Sequence, residues 1–491
     1  MRPLILLLIV LALAAPVDAR AEKPKLIVLI SIDQFPQEYV QRFRAHFVED
    51  GFNRFLSAGA VFTHATLNHA ATLTGPGHAV LSTGTYGHRN GIVGNAWYDR
   101  TAKRNMYCVE DAQTRLIGYA GTGRSPANLT TGTFGDELRI AGAFNSRVIS
   151  VSGKDRAAIL MGGKLANGAY WMEDSMFTTS TYYMDQLPEW VRAFNTSGRI
   201  NTMFGQTWER TLPEEEYASL GSDDQPFEDG GKGLGRTFPH TIVGDDASRI
   251  TGSFYDALLT SPFGNELVFE FAKVAVKAEQ LGQRNVTDLL CISLSSNDYV
   301  GHSFGPYSHE VMDVTLRTDR QLADFFAYLG ETLGLDNCLI ALSSDHGVAP
   351  VPEWIRARTN RGDAKRVDGA TVKEAAGAAL TKAFGPPPKG TAWIEATTGG
   401  NIYLHRDVLQ TKKVAADAAA RVVAAGIGEL PAVAGAYATV DLRSQAQQST
   451  LADLLARAYQ PSRSGDVIYV YQPYQLEGSG GTGTTHGSPY A

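Results

Sequence analysis

The run Leu26-Ile-Val-Leu-Ile-Ser-Ile-Asp33 sets the reading of the whole chain. Branched aliphatic residues here form a strand that is apolar on both faces, and an aspartate follows at once. Such a strand belongs in a parallel sheet covered by helices, where functional groups gather beyond the carboxyl ends of the strands. Runs of similar form occur at 148–151, 289–294 and 339–342, and helical patterns at 266–281 and 311–329 fall between them. This alternation predicts an α/β fold with a central, mostly parallel sheet flanked by helices. Asp33, Lys154, Asp298 and Asp345 each come just after one of the strand runs, so the pattern predicts a single shared site.

The chain has 491 residues, more than an average domain but within the range of an α/β enzyme with insertions. We expect one catalytic domain over 22–491, with covering insertions at about 160–245 and 350–460. The first is rich in Gly, Ser, Thr and aromatics; the second has Ala-rich helical pieces and a Gly-Pro-Pro-Pro-Lys turn at 385–389. A net charge of −7 argues against a nucleic-acid-binding surface.

Residues 1–21 read as a secretory signal: Arg2 is basic, Leu4 to Ala15 is apolar, and small residues around Ala19 and Ala21 suit a signal peptidase. An uncleaved anchor is the alternative, and either puts the body of the protein outside the cytoplasm, periplasmic or secreted. No later stretch is long and apolar enough to span a membrane. Cys291 and Cys338 sit in apolar runs and read as buried thiols, with a disulfide open to them should their strands be neighbours. Cys108 has no catalytic role in this reading. No sequence feature specifies an oligomeric state.

The chemistry lies in a scattered set of hard-oxygen and imidazole ligands. Asp33, Asp345 and His346 form one potential metal group with Thr74; Asp298, His302 and His486 form another. Two zinc ions per chain would suit these ligands, and manganese or cobalt could take the same set. His64, His69, His78, His88 and His309 lie near these segments as further candidates. Thr74 precedes Gly-Pro-Gly-His, a sequence that suits a helix start aimed at an anion. Its hydroxyl is either a nucleophile activated by a metal or an ordinary helix cap, and Thr72 competes for the first role. Lys154 and Arg156 follow a strand and could bind phosphoryl oxygens, with Asn95 donating a further hydrogen bond.

On these residues the chain resembles the alkaline phosphatase superfamily, in particular the single-chain, phosphate-irrepressible zinc alkaline phosphatases related to nucleotide pyrophosphatase/phosphodiesterases. The motifs that carry the resemblance are S-I-D-Q at 31–34, T-G-P-G-H at 74–78, G-N-x-W at 94–97, G-K-D-R-A-A at 153–158, N-D-Y-V-G-H at 297–302, S-D-H-G at 344–347, P-S-R-S-G-D at 461–466 and T-H-G-S-P at 485–489. The resemblance implies an alkaline-phosphatase-like fold and hydrolysis of small phosphate monoesters. It implies Thr74 as the residue phosphorylated, and Asn95, Lys154 and Arg156 as the phosphoryl grip. Asp33, Asp345 and His346 would hold the zinc that activates Thr74, and Asp298, His302 and His486 the zinc facing the leaving group. The Lys154/Arg156 pair favours monoester dianions over diesters. A phosphodiesterase on the same fold is the alternative, and a non-catalytic binding protein a remote one. The site lacks the C/S-x-P-x-R of sulfatases. Relatives of this type continue several dozen residues beyond the equivalent of Ala491, and without them we expect exposed apolar surface and a looser His486 loop.

Overall fold

A computed structural model describes residues 23–478 and 481–486. The signal-like segment 1–21 lies outside the described residues. Six strands form the main sheet: β1 (Leu26–Ile32), β2 (Val148–Ser152), β3 (Gly168–Glu173), β4 (Met176–Thr178), β5 (Asp288–Leu294) and β6 (Cys338–Ser344). Their order is β6-β1-β5-β2-β3-β4, and every pairing is parallel except β3 with β4. The expected central, mostly parallel sheet is present.

Register explains why the strand ends converge. Ile32 of β1 pairs with Leu294 of β5 on one side and with Ser344 of β6 on the other. Three adjacent strands therefore finish level, and the residues that follow them start from one line. The inner strands are buried, with Leu26, Val28, Ile30 and Ile32 of β1 all 0% exposed, whereas β6 at the edge leaves Leu339 exposed. Helix α3 (Pro262–Ala278) begins with proline at its first turn, where the missing N–H costs nothing. Helix α5 (His309–Leu333) begins with Ser308, whose Oγ accepts from the Val311 N–H at 3.1 Å. Both pack against the sheet and complete the largest core.

One expectation needs correction. The segment 160–245 is not wholly a cover, because β3 and β4 extend the main sheet. The β3 run Gly-Ala-Tyr-Trp-Met-Glu looks weakly periodic because it is buried on both faces, as a strand inside a covered sheet must be. The reading of the cysteines as thiols agrees with the structure: β1 lies between β5 and β6, so the condition for a Cys291–Cys338 disulfide is not met, and Cys108, Cys291 and Cys338 are all free. Cys338, on the outer strand, is only half-buried.

The later insertion builds a second layer with its own core. Strands Ile394–Thr398, Asn401–Leu404, Val467–Tyr471 and Val433–Ala438 form an antiparallel sheet in that order, packed by helices Gly369–Phe384 and Ala416–Gly428. It reaches past residue 460 to include Val467–Tyr471. No helix among the described residues is long and apolar enough to cross a membrane.

One buried ion pair gives the fold a pH dependence. His309 faces Asp223 Oδ1 at 3.2 Å through Nδ1 and the Gly221 carbonyl at 3.0 Å through Nε2. Burial opposes its charge, but the Asp223 carboxylate and the Gly221 carbonyl raise its pKa above the ordinary value. A raised imidazole pKa contributes stability that is full below the unfolded pKa and fades as pH rises through the folded one. His309→Gln should therefore cost about 2 kcal/mol at pH 6. The gap in Tm from the wild type should narrow steadily as melting curves are taken toward pH 9.

Candidate metal centre and nucleophile

The level strand ends bring the acidic residues together. Asp33 follows β1, and its N–H donates to the Leu294 carbonyl of β5 at 3.1 Å. Asp345 follows β6. Helix α4 (Ser296–Phe304) starts just beyond β5, and its residues Asp298 and His302 share one face because they are four apart. Asp33 and Asp345 are fully buried, and Asp298 and His346 nearly so.

Two compact ligand groups result. Asp33, Asp345 and His346 form one, and Asp298, His302 and His486 the other; within each, the potential ligand atoms all lie within 4.8 Å of one another. His346 Nε2 is 3.2 Å from Asp33 Oδ1 and 3.4 Å from Asp345 Oδ2. His302 Nε2 is 3.1 Å from Asp298 Oδ1. The groups adjoin through His346, whose ring centroid is 4.7 Å from that of His486. The expected ligands thus come together in the expected sets.

The donor chemistry fits divalent cations. His486 Nε2 is buried and has no hydrogen-bond partner. Burial, then the charge of neighbouring His346, holds the His486 pKa well below the ordinary value, so the ring is the neutral ligand a metal needs. Burial would also lower His346, but Asp345, Asp33 and Asp298 lift it to about 9. Three buried carboxylates beside unpartnered imidazole nitrogen suit zinc-like ions.

Thr74 opens helix α1 (Thr74–Thr83) from inside, not as its cap: Leu73 holds the cap position and makes no side-chain cap bond. Thr74 Oγ1 lies 3.5 Å from His346 Nε2 and accepts from Arg156 Nη2 at 3.3 Å. The Gly75 N–H donates to Asn95 Oδ1 at 2.7 Å. Gly77 permits the close approach of α1 to the first ligand group, since a Cβ there would sit 2.2 Å from the Asp345 carbonyl oxygen. Lys154 Nζ donates to Asp33 Oδ2 at 2.7 Å and also to Asp298 Oδ2, one carboxylate from each group. Burial works against its charge, but Asp298 and Asp33 hold its pKa above the ordinary value.

The other histidines separate by position. His78 is buried behind Asp345, with Nδ1 at 2.8 Å from the Thr74 carbonyl and 3.1 Å from Asp345 Oδ2, and Nε2 at 2.8 Å from Ser293 Oγ. His69 is buried against Tyr86, and burial followed by the charge of His346 lowers its pKa to about 4. His64 contacts Thr63 and His88 the Arg457 carbonyl, both on the surface. His309 belongs to the Asp223 pair. Sequence reasoning missed Gln34, whose Nε2 donates to Asp298 Oδ1 at 2.9 Å and whose N–H donates to Asp345 Oδ1 at 3.1 Å. Its place inside S-I-D-Q was the available signal. Reasoning also missed Tyr107, which accepts from Arg156 Nη1 at 3.2 Å.

The segment carrying His486 is held mostly by backbone. Gly483 N–H donates to the Phe227 carbonyl at 2.7 Å and Thr484 N–H to the His302 carbonyl at 2.8 Å. Arg366 adds a side-chain tie, donating from Nη2 to the Gly483 carbonyl at 2.8 Å and to Glu353 Oε2 at 3.0 Å. Arg366→Ala should weaken one cation site by ~10–100-fold, as loss of an outer support does. Zinc titration against a chromophoric chelator should show the other site unchanged.

Residues 27–476 match the family described as type I phosphodiesterase/nucleotide pyrophosphatase. The chain is 43% identical over 339 residues to alkaline phosphatase PhoV of Synechococcus elongatus, covering 68% of this chain but only 61% of that protein. It is 35% identical over 480 residues to a protein of Myroides odoratus named calcium-transporting ATPase, covering 96% of this chain and 85% of that protein. The crystal structure of wild-type alkaline phosphatase PafA superposes with a TM-score of 0.86 at 32% identity, covering 95% of this chain and 88% of that one; PafA is from Elizabethkingia meningoseptica. With its sheet, its two ligand groups and these relatives in agreement, the chain belongs to the type I phosphodiesterase/nucleotide pyrophosphatase family.

Proposed function

We propose that this chain is an exported phosphomonoesterase that hydrolyses small phosphate esters by way of a phosphothreonine at Thr74. The observation that carries the reading is the position of the Thr74 hydroxyl, between His346 of one ligand group and the Arg156 guanidinium. The relatives named alkaline phosphatases support it. So does the crystal structure of a PafA variant in which four residues are replaced: one threonine, an asparagine twenty-one positions later, and a lysine and an arginine two positions apart. Thr74 with Asn95, and Lys154 with Arg156, repeat that spacing.

Asp33, Asp345 and His346 would hold one zinc ion and Asp298, His302 and His486 a second. When bound, two such ions supply Lewis acidity to the attacking and leaving oxygens. The residues of the chain do the rest. Thr74 Oγ1 attacks phosphorus, its proton passes to solvent, and the bond to the leaving alcohol breaks; the alcohol departs with that electron pair and takes a proton from water. Water then cleaves the phosphothreonine to give inorganic phosphate and restore Thr74. The Arg156 guanidinium and the Asn95 amide meet the charge on the non-bridging oxygens. The Lys154 ammonium, which reaches one carboxylate of each ligand group, would be the second cation to meet a phosphoryl oxygen. A monoester dianion meets both cations; a diester has one charge fewer and one substituent more.

Paired kinetics test this on the zinc-loaded chain with p-nitrophenyl phosphate and bis-p-nitrophenyl phosphate. We expect a strong monoester preference. Thr74→Ala should lower monoester turnover roughly 10³-fold or more. Lys154→Ala with Arg156→Ala should narrow the monoester-to-diester ratio by ~10²-fold. A wild-type chain that prefers the diester would overturn the proposal.

A further inference from the structure

Beside the helix that starts with Thr74 lies a hairpin formed by Ala96–Asp99 and Arg104–Tyr107. Asn95 directly precedes its first strand, and Tyr107 ends its second. Tyr107 pairs with Ala96 across the hairpin, and the Cys108 N–H donates to the Asn95 carbonyl at 2.9 Å. Asn95 and Tyr107 are thus delivered together, one to Gly75 and one to Arg156.

The Tyr107 phenol is held in place from both sides. Its O–H donates to Asp155 Oδ1 at 2.5 Å, and its oxygen accepts from Arg156 Nη1 at 3.2 Å. Asp155 opens helix α2 (Asp155–Gly162) and is itself fixed, with Oδ2 accepting from Arg124 Nε at 2.8 Å. The Arg124 guanidinium also lies over the Tyr107 ring, 5.2 Å from its centre. Burial, then the Asp155 charge, keeps the phenol protonated well above its ordinary pKa, so the O–H remains a donor in alkaline solution.

Arginine has a long side chain with several rotatable bonds, and a guanidinium anchored at one nitrogen presents the other in a fixed direction. Here Nη1 is anchored on the phenol and Nη2 points at Thr74 Oγ1. We infer that Tyr107 is a positioning residue that aims Arg156 at the transferring phosphoryl group and so favours monoester dianions over diesters. The inference rests on the proposed phosphomonoesterase activity. Tyr107 itself need not touch substrate; it acts through Arg156, with Asp155 and Arg124 as its support.

The test uses the zinc-loaded full chain and four proteins: wild type, Tyr107→Phe, Arg156→Ala and the double variant. Tyr107→Phe should lower monoester kcat/KM about 10-fold, the scale of one hydrogen bond to a charged group, and weaken competitive inhibition by inorganic phosphate similarly. Diester kcat/KM should change less than about 2-fold, and in the Arg156→Ala background Tyr107→Phe should be nearly silent. Asp155→Asn, which removes the charge that fixes the phenol, should reproduce the selective loss if Tyr107→Phe folds poorly. Equal losses on both substrates, or full additivity with Arg156→Ala, would overturn the inference. An Arg156→Ala chain with the wild-type ratio of monoester to diester rates would sink the assigned role of Arg156 and this inference together. A narrowed ratio in Arg156→Ala beside an inert Tyr107→Phe would sink only this one.

Discussion

Asp33, Asp298 and Asp345 set three carboxylates side by side in a buried space, and the surroundings are organised to balance that charge. A buried carboxylate without a partner is costly enough to unfold or protonate the site. Here each has compensation: Lys154 bridges Asp33 and Asp298, His346 faces Asp33 and Asp345, and His78 backs Asp345. The parallel register of β1 with β5 and β6 creates the problem, because it finishes three strands at one level. It also provides part of the means of solving it, since His346 follows β6 and Lys154 follows β2, which adjoins β5. Divalent cations are the natural counter-charge for what remains.

Much of this was legible in the sequence, and for definite reasons. A short apolar run ending in polar or acidic residues is a local pattern, so β1, β2, β5 and β6 were readable within a residue or two. Asp298 and His302 were readable because helical spacing makes them neighbours. The grouping of ligands came from motifs, and the structure brings the same sets together. What escaped was non-local or unpatterned. The short strand β4 has three residues, too few to show a period. Tyr107 and Arg124 reach Asp155 and Arg156 from distant turns of the chain, and nothing in spacing links them. Strand order was equally hidden, which is why the separation of Cys291 from Cys338 by β1 had to be seen.

The later insertion is more than a lid resting on a finished enzyme. Arg463, from the P-S-R-S-G-D motif, donates through Nη1 to the Gly91 carbonyl and, at 2.7 Å, to that of Asn128, and its guanidinium lies 4.7 Å from the centre of the Trp97 ring. Gly91 and Trp97 bracket the loop that carries Asn95. Three residues on, Asp466 accepts from Arg100 Nη2 at 3.2 Å and from the Leu404 N–H at 2.8 Å. The second core is thereby fastened to the loop that meets Gly75, so its packing is felt at the helix that starts with Thr74.

The Asp298 group draws one imidazole, His486, from a segment far along the chain from α4 and beyond the second layer. During synthesis the sheet, α4 and the second layer can all be made before His486 leaves the ribosome. This group of side chains is therefore assembled from distant parts of the chain and is complete only once they have come together. Cleavage after Gly483 would separate one imidazole from the group and leave every pairing of the main sheet in place. Folding of the sheet and completion of this ligand group are thus separable, because they rest on different bonds.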